Sequence, residues 1–177
     1  MMTATIPMPP RPDRSESAAY YFTYIDQVPD GDICATLRAQ LVEIPTFLES
    51  ISEERSLHRY APDKWTIREV VSHLNDTERV FAYRALWFAR GYESPLPSFD
   101  QDIAIRTSGA NARTFRSHID EFRIVRGATI ALFEQLPQDA WMRRGIASDN
   151  PFSVRALAWI SAGHVAHHLR IVRERYL

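Results

Sequence analysis

The residues with the clearest capacity for chemistry are histidines near the end of the chain, in the stretch SVRALAWISAGHVAHHLRIVRERY at 153–176. Read as one helix, Val154, Leu157, Ser161, His164, His168, Ile171 and Arg175 recur at steps of three and four, the inward seam of a helical bundle. His164 and His168 therefore stand where a bundle ordinarily places Leu or Ile. A four-residue step is about one turn and about 6 Å of rise, so both rings leave one face and can close on one ion. His167 is turned about 100° away from His168.

A buried imidazole without a partner is costly, so two in one core space need two acceptors or one shared cation. His73, on the inward side of a second expected helix, completes a tris-imidazole set. Three nitrogen donors suit Zn²⁺, Ni²⁺ or Fe²⁺ and leave positions open for water or substrate, as catalytic metal sites do. The expected cofactor is one divalent ion per chain, held by His73, His164 and His168.

These groups need helices to carry them, and the chain supplies four long amphipathic segments. The first follows a cap at Asp32, with Ile33, Leu37, Leu41, Ile44, Leu48 and Ile51 on one seam and Pro45 as an interior kink. The second, at 67–90, opens on a capping box of Thr66 and Glu69 and stops at Gly91. Its inward rows are Val70, His73, Thr77, Val80, Arg84, Trp87 and, beside them, Leu74, Glu78, Phe81, Ala85, Phe88. The third begins near Thr114 and ends before Pro137; the fourth is capped by Ser153. The stretch 92–111, YESPLPSFDQDIAIRTSGAN, reads as a long connection with a turn or two of helix at 100–105. Residues 137–151 read as a loop. No period-two alternation competes, so the expected fold is all-α: a four-helix bundle running up, down, down, up, with its long connection between helices two and three.

Prolines at 7, 9, 10 and 12 mark residues 1–14 as a flexible arm, leaving 15–177 as a single domain. Within it, 15–24 is expected to form a short helix with Tyr20, Tyr21 and Phe22 as apolar cover. A chain of 177 residues at 45% hydrophobic content can bury one good core. Its 21 basic and 22 acidic residues are dispersed, which argues against a nucleic-acid or acidic-membrane partner. The lone Cys34 excludes an internal disulfide and a multi-thiolate metal site, and without a signal-like segment a cytoplasmic location is expected.

The segments YAPDKWTIREVVSHLNDTERVFAYRALWFARG at 60–91 and AGHVAHHLRIVRERY at 162–176 resemble the two signature regions of the DinB/YfiT-like family of metal-dependent enzymes. The likeness continues through FDQD at 99–102 and FRIVRGATIALFEQL at 122–136, nearly everything after about Ser15. The resemblance implies a four-helix bundle, often a homodimer, holding one divalent metal through a histidine of the second helix and two of the last. Here those are His73, His164 and His168, with His167 an extra histidine outside the set. It also implies a small-molecule substrate, because relatives of known reaction include transferases using a low-molecular-weight thiol such as bacillithiol and an isomerase using mycothiol.

A metal on three neutral imidazoles keeps its charge and lowers the pKa of a bound thiol or water. The leading expectation is a transferase that adds a low-molecular-weight thiol to an electrophile through a metal-bound thiolate. The alternatives are a hydrolase using metal-bound water and a non-catalytic, metal-binding dimeric bundle. Arg84 and Arg126, on inward rows, are candidate substrate-binding groups for an anionic moiety; equally, each can pair with a buried carboxylate such as Glu78. Asp76 is placed to orient an imidazole or to face solvent, and Asp100 and Asp102 to approach the metal or to cap a short helix. His58 and His118 show no pattern and read as surface residues. Phe88 and Phe152, beyond the central seam, leave room for a dimer face.

Overall fold

Local capping signals set the ends of the long helices. The computed structural model describes residues 9–177, with helices α1 (Phe22–Ile25), α2 (Ile33–Glu49), α3 (Ile67–Ala89), α4 (Gln101–Thr107), α5 (Phe115–Glu134) and α6 (Val154–Ile171). Asp32 accepts from the amides of Cys34 and Ala35. Thr66 Oγ1 accepts from the Glu69 amide at 3.1 Å while Glu69 accepts from the Thr66 amide at 2.7 Å. Ser153 caps α6 through the Ala156 amide at 3.0 Å. Gly91, at φ +81°, turns the chain out of α3 as only glycine does easily. The last turn beyond α6 widens into a π-helix at Val172–Tyr176.

The long helices pack in the cyclic order α2, α5, α3, α6. Side-chain pairs give their directions. Arg38 near the start of α2 pairs with Glu134 at the end of α5, and Glu49 at the end of α2 pairs with Arg123 at 2.7 Å, so α2 and α5 are antiparallel. Arg68 donates to the Arg113 carbonyl at 2.6 Å and Glu78 pairs with Arg126 one bundle level further on, so α3 and α5 run parallel. Tyr176 Oη donates to the Trp65 carbonyl at 2.9 Å, placing the end of the last helix beside the start of α3. The order is up, down, down, up. Parallel α3 and α5 require the chain to return roughly the 34 Å length of α3, which the segment carrying α4 does.

The interior is two apolar clusters separated by a polar layer. One surrounds Leu37, Phe88, Phe133, Phe152 and Trp159. The other surrounds Leu48, Val71, Leu74, Phe122 and Leu169. Between them along the helices lie His73, Thr77 and Glu78 of α3, Arg126 of α5 and Ser161 and His164 of α6, all buried. Arg126 grips Glu78 with both arms, Nε to Oε1 at 2.7 Å and Nη2 to Oε2 at 2.8 Å. Its Nη1 donates to Gln40 Oε1, and Gln40 Nε2 donates to the Ala162 carbonyl at 2.9 Å, so one polar chain ties all four long helices at this level.

Three expectations are corrected. Residues 137–151 are not merely a loop: β1 (Arg144–Ala147) and β2 (Asn150–Ser153) form an antiparallel hairpin with Gly145 opposite Phe152. Its two turn residues, Ser148 and Asp149, sit at φ 51° and 59°, the left-handed conformation that two-residue hairpins favour. Gly145 lies flat on the end of α3, where a Cβ would come within 2.0 Å of the Phe88 ring. Residues 1–8 of the expected arm lie outside the described residues, but the chain from Pro9 onward is pinned. Arg11 donates to the Ile25 carbonyl at 2.7 Å and to Asp30 at 2.6 Å, and Glu16, fully buried, pairs with Arg155 and accepts from Ser153. Phe88 and Phe152 offer no dimer face, because both are enclosed within the chain. Among the described residues no helix is long and apolar enough to cross a membrane.

Candidate metal centre

His73 comes from the second turn of α3; His164 and His168 come from successive turns of α6. One ring nitrogen from each of the three lies within 4.8 Å of the other two. His73 Nε2 and His164 Nε2 are 3.1 Å apart. Ring centroids are separated by 4.9 Å from His73 to each of the others and by 4.6 Å between His164 and His168. His167 stands outside the group: its Nδ1 meets Gln27 Nε2 at 3.2 Å.

Burial keeps these rings neutral. It holds His73 down to about 4 and His168 down to about 3, and it pushes His164 well below the ordinary histidine range, with the neighbouring imidazoles adding to the effect. A neutral imidazole offers the lone pair that a cation needs. Thr77 Oγ1 lies 3.2 Å from His73 Nδ1; in the tautomer whose Nδ1–H donates to this hydroxyl, the Nε2 lone pair is free. Donors bonded to a tetrahedral ion at about 2.0–2.1 Å stand roughly 3.3 Å apart, a spacing this set reaches with small side-chain rotations. The residues present therefore fit a borderline divalent ion.

Asp76 does not orient His73. A three-residue helical step turns about 300° and a four-residue step about 400°, so Thr77 falls under the ring and Asp76 on the flank. There Asp76 faces Arg79 at 3.5 Å. Asp100 caps α4, accepting from the amides of Asp102 and Ile103 at 2.9 Å. Asp102 lines a cavity of about 270 Å³ beside His168, Trp65 and Tyr176.

A second cavity, about 130 Å³, opens onto His73 and His164. Tyr20, Tyr21 and Tyr24 form one wall, Thr77, Phe81 and Arg84 of α3 another, and Phe99, Gln101 and Ser148 close the rim. The two candidate arginines part company here. Arg84 stands on the cavity wall, whereas Arg126 is spent on Glu78 and Gln40 and has no exposed surface.

Sequence reasoning missed Tyr24, Thr77 and Trp65 as site residues. Tyr24 packs edge-on to His164 at 5.1 Å and Trp65 against His73 at 4.9 Å. The glycine of GHVAHH was the available signal for Tyr24. A Cβ on Gly163 would come within 2.1 Å of the Tyr24 carbonyl oxygen, so glycine is what lets α1 lie against α6 beside His164. His118 is also corrected: it is fully buried, with Nε2 2.9 Å from the Ala110 carbonyl.

The family model of the DinB superfamily matches residues 36–172, the span from α2 to the end of α6. The chain belongs to the DinB superfamily. Its fold is similar to that of YfiT from Bacillus subtilis, described as a probable metal-dependent hydrolase with an unusual four-helix bundle topology. The two share 20% identity and a TM-score of 0.61, over 92% of this chain and 91% of that one. No curated protein sequence matches the chain.

Proposed function

We propose that this DinB-superfamily chain is a divalent-metal-dependent enzyme, and that it transfers a low-molecular-weight thiol to an electrophilic small molecule. The observation that carries the reading is the convergence of His73, His164 and His168, all held neutral by burial, beside a cavity open to a small molecule. When bound there, a divalent ion supplies Lewis acidity without protein-borne negative charge, enough to bring a thiol or a water molecule towards its deprotonated form.

The cavity residues favour one of the two nucleophiles. Among the described residues the cavity touching His73 and His164 is lined by no carboxylate. A thiol near pKa 8.5 needs a drop of about two units to ionise at neutral pH, whereas water starts near 15.7. On the face that opens onto His73 and His164, a centre without an adjacent carboxylate base therefore suits the thiol. Thr77 keeps the His73 lone pair aimed inward, Tyr24, Phe81 and Trp65 restrict water around the rings, and α4 carries Gln101 to one cavity and Asp102 to the other. A metal-dependent hydrolase is the second reading. Asp63 and Asp102, the carboxylates lining the cavity on the His168 side, and the description given to YfiT favour it.

Incubating metal-loaded protein with an electrophile, with and without candidate thiols, separates the two readings. Turnover with water alone sinks the transferase. For the centre itself, metal analysis is expected to find about one divalent ion per chain. H73A, H164A and H168A are expected to lose the ion and H167A to keep it. Loss through H167A alone refutes the ligand set.

A further inference from the structure

Every other arginine whose side chain is largely withdrawn from water has a carboxylate. Arg126 has Glu78, Arg155 has Glu16 and Arg68 has Glu53, at side-chain exposures of 0%, 11% and 10%. Arg84 is 4% exposed and has none among the described residues. Its Nη2 donates to Ser148 Oγ at 2.7 Å and to the Pro97 carbonyl at 3.3 Å. Among the described residues, the one titratable side chain close enough to feel its charge is the Tyr21 phenol. A desolvated cation with only neutral partners is a costly arrangement, and it is found on the wall of the cavity that reaches His73 and His164.

We infer that Arg84 is the anion subsite of this cavity and that the substrate carries a carboxylate on an apolar or aromatic body. The inference rests on the cavity being the substrate site of the enzyme proposed above. Charge selects the class: a single guanidinium flanked by the Tyr21 and Ser148 hydroxyls neutralises a monoanion, whereas a dianionic phosphate would bury an unmatched negative charge. Position selects the shape. His73 and Arg84 are separated by roughly 16 Å of helix rise, shortened by the arginine's lean toward the start of α3. Between them the wall is Thr77, Val80 and Phe81. A ligand gripped at both ends therefore needs an apolar spacer between its carboxylate and the group presented to the histidines.

The test is calorimetric titration of the full chain with ω-phenylalkanoates from phenylacetate to 6-phenylhexanoate, with the matching amides and phosphonates as controls. The titrations are run on metal-loaded and chelator-stripped wild type, R84Q and R84K. In wild type the best acid is expected to bind at least about tenfold more tightly than its amide and its phosphonate, with or without metal. R84Q removes the preference for the acid. R84K, which keeps the charge and so remains informative if R84Q does not fold, is expected to weaken the acid at least about fivefold and leave the amide unchanged, because it lacks the planar fork. A preference that survives R84Q but disappears on chelation overturns the inference, placing the carboxylate on the ion. No acid outbinding its amide, or a phosphonate outbinding every acid, also overturns it. A chain that never binds metal yet keeps the Arg84-dependent preference refutes the metalloenzyme reading and leaves the anion subsite standing.

Discussion

Replacing Glu78 with Leu tests the polar layer most directly. The carboxylate is 2% exposed and its two oxygens hold Nε and Nη2 of an arginine with no exposed surface. Leucine fills the volume and leaves Arg126 charged, with Gln40 as its remaining partner. Stranding a buried charge in this way costs about 3–5 kcal/mol. At about 2–4 °C per kcal/mol for a chain of this size, the melting temperature falls by roughly 6–20 °C. Pairing the change with R126M removes the stranded charge and orphans only the Gln40 carbonyl, a penalty of about 1–3 kcal/mol that the apolar repacking offsets. The double variant is therefore expected to lie within about 1 kcal/mol of wild type. Urea denaturation of metal-free wild type, E78L, R126M and E78L/R126M measures all four corners of the cycle. A single E78L variant within about 1 kcal/mol of wild type, or a double variant no better than the single, refutes the stranded-charge account.

Other perturbations have equally definite outcomes. T77V removes the acceptor at His73 Nδ1 while conserving volume; metal affinity is expected to fall about 10–100-fold with intact helicity, and unchanged affinity would show that Thr77 does not orient the ring. His73 is neutral in the folded chain down to about pH 4 but titrates near 6.5 when unfolded. Its folded pKa is depressed, so the unfolded chain binds more protons in that window; the His73 contribution to metal-free stability is complete above about pH 6.5 and falls by on the order of 3 kcal/mol toward pH 4, and His164 and His168, also depressed, add to the loss in the same direction. Denaturation midpoints that stay flat from pH 7 to 4 contradict this. G163A drives a methyl into the Tyr24 carbonyl and is expected to cost about 1–3 kcal/mol by prising α1 away, seen as a lower melting temperature and faster amide exchange at residues 22–25. Wild-type exchange there would show that α1 does not depend on the glycine.

What the residues revealed in advance was what depends on local spacing. The capping box of Thr66 and Glu69 and the three-four rows of α3 and α6 are short-range patterns. The step from His164 to His168 is another, and each appears in the structure at its expected place. The hairpin escaped notice because its turn uses Ser148 and Asp149 where glycine or asparagine usually announces a left-handed pair, and because each strand is four residues long. Arg126 was ambiguous for a different reason. Its helical row says that it points inward, but whether it meets Glu78 or a ligand depends on the relative height of α3 and α5, which no single helix encodes. His118 could have been placed correctly: Phe115 and Phe122 are three residues before it and four after, on the same buried face. The tyrosine wall was hidden by distance, since Tyr24 and His164 meet only once the chain has folded.

The layer of buried polar groups across mid-bundle also separates two jobs. Val70, Leu74, Val165 and Leu169, in the cluster beneath it, brace the backbone turns from which the three histidines project. Tyr24, Phe81 and Phe152, in the cluster above it, seat the N-terminal segment and the hairpin that together shape the wall of the cavity reaching His73 and His164. Because the two apolar regions do not merge, substitutions in the upper one away from Tyr24 and Phe81, which touch His164, can reshape the cavity wall while the backbone turns that carry the three histidines are inherited intact. Such insulation lets one scaffold keep its reagent and exchange its clientele.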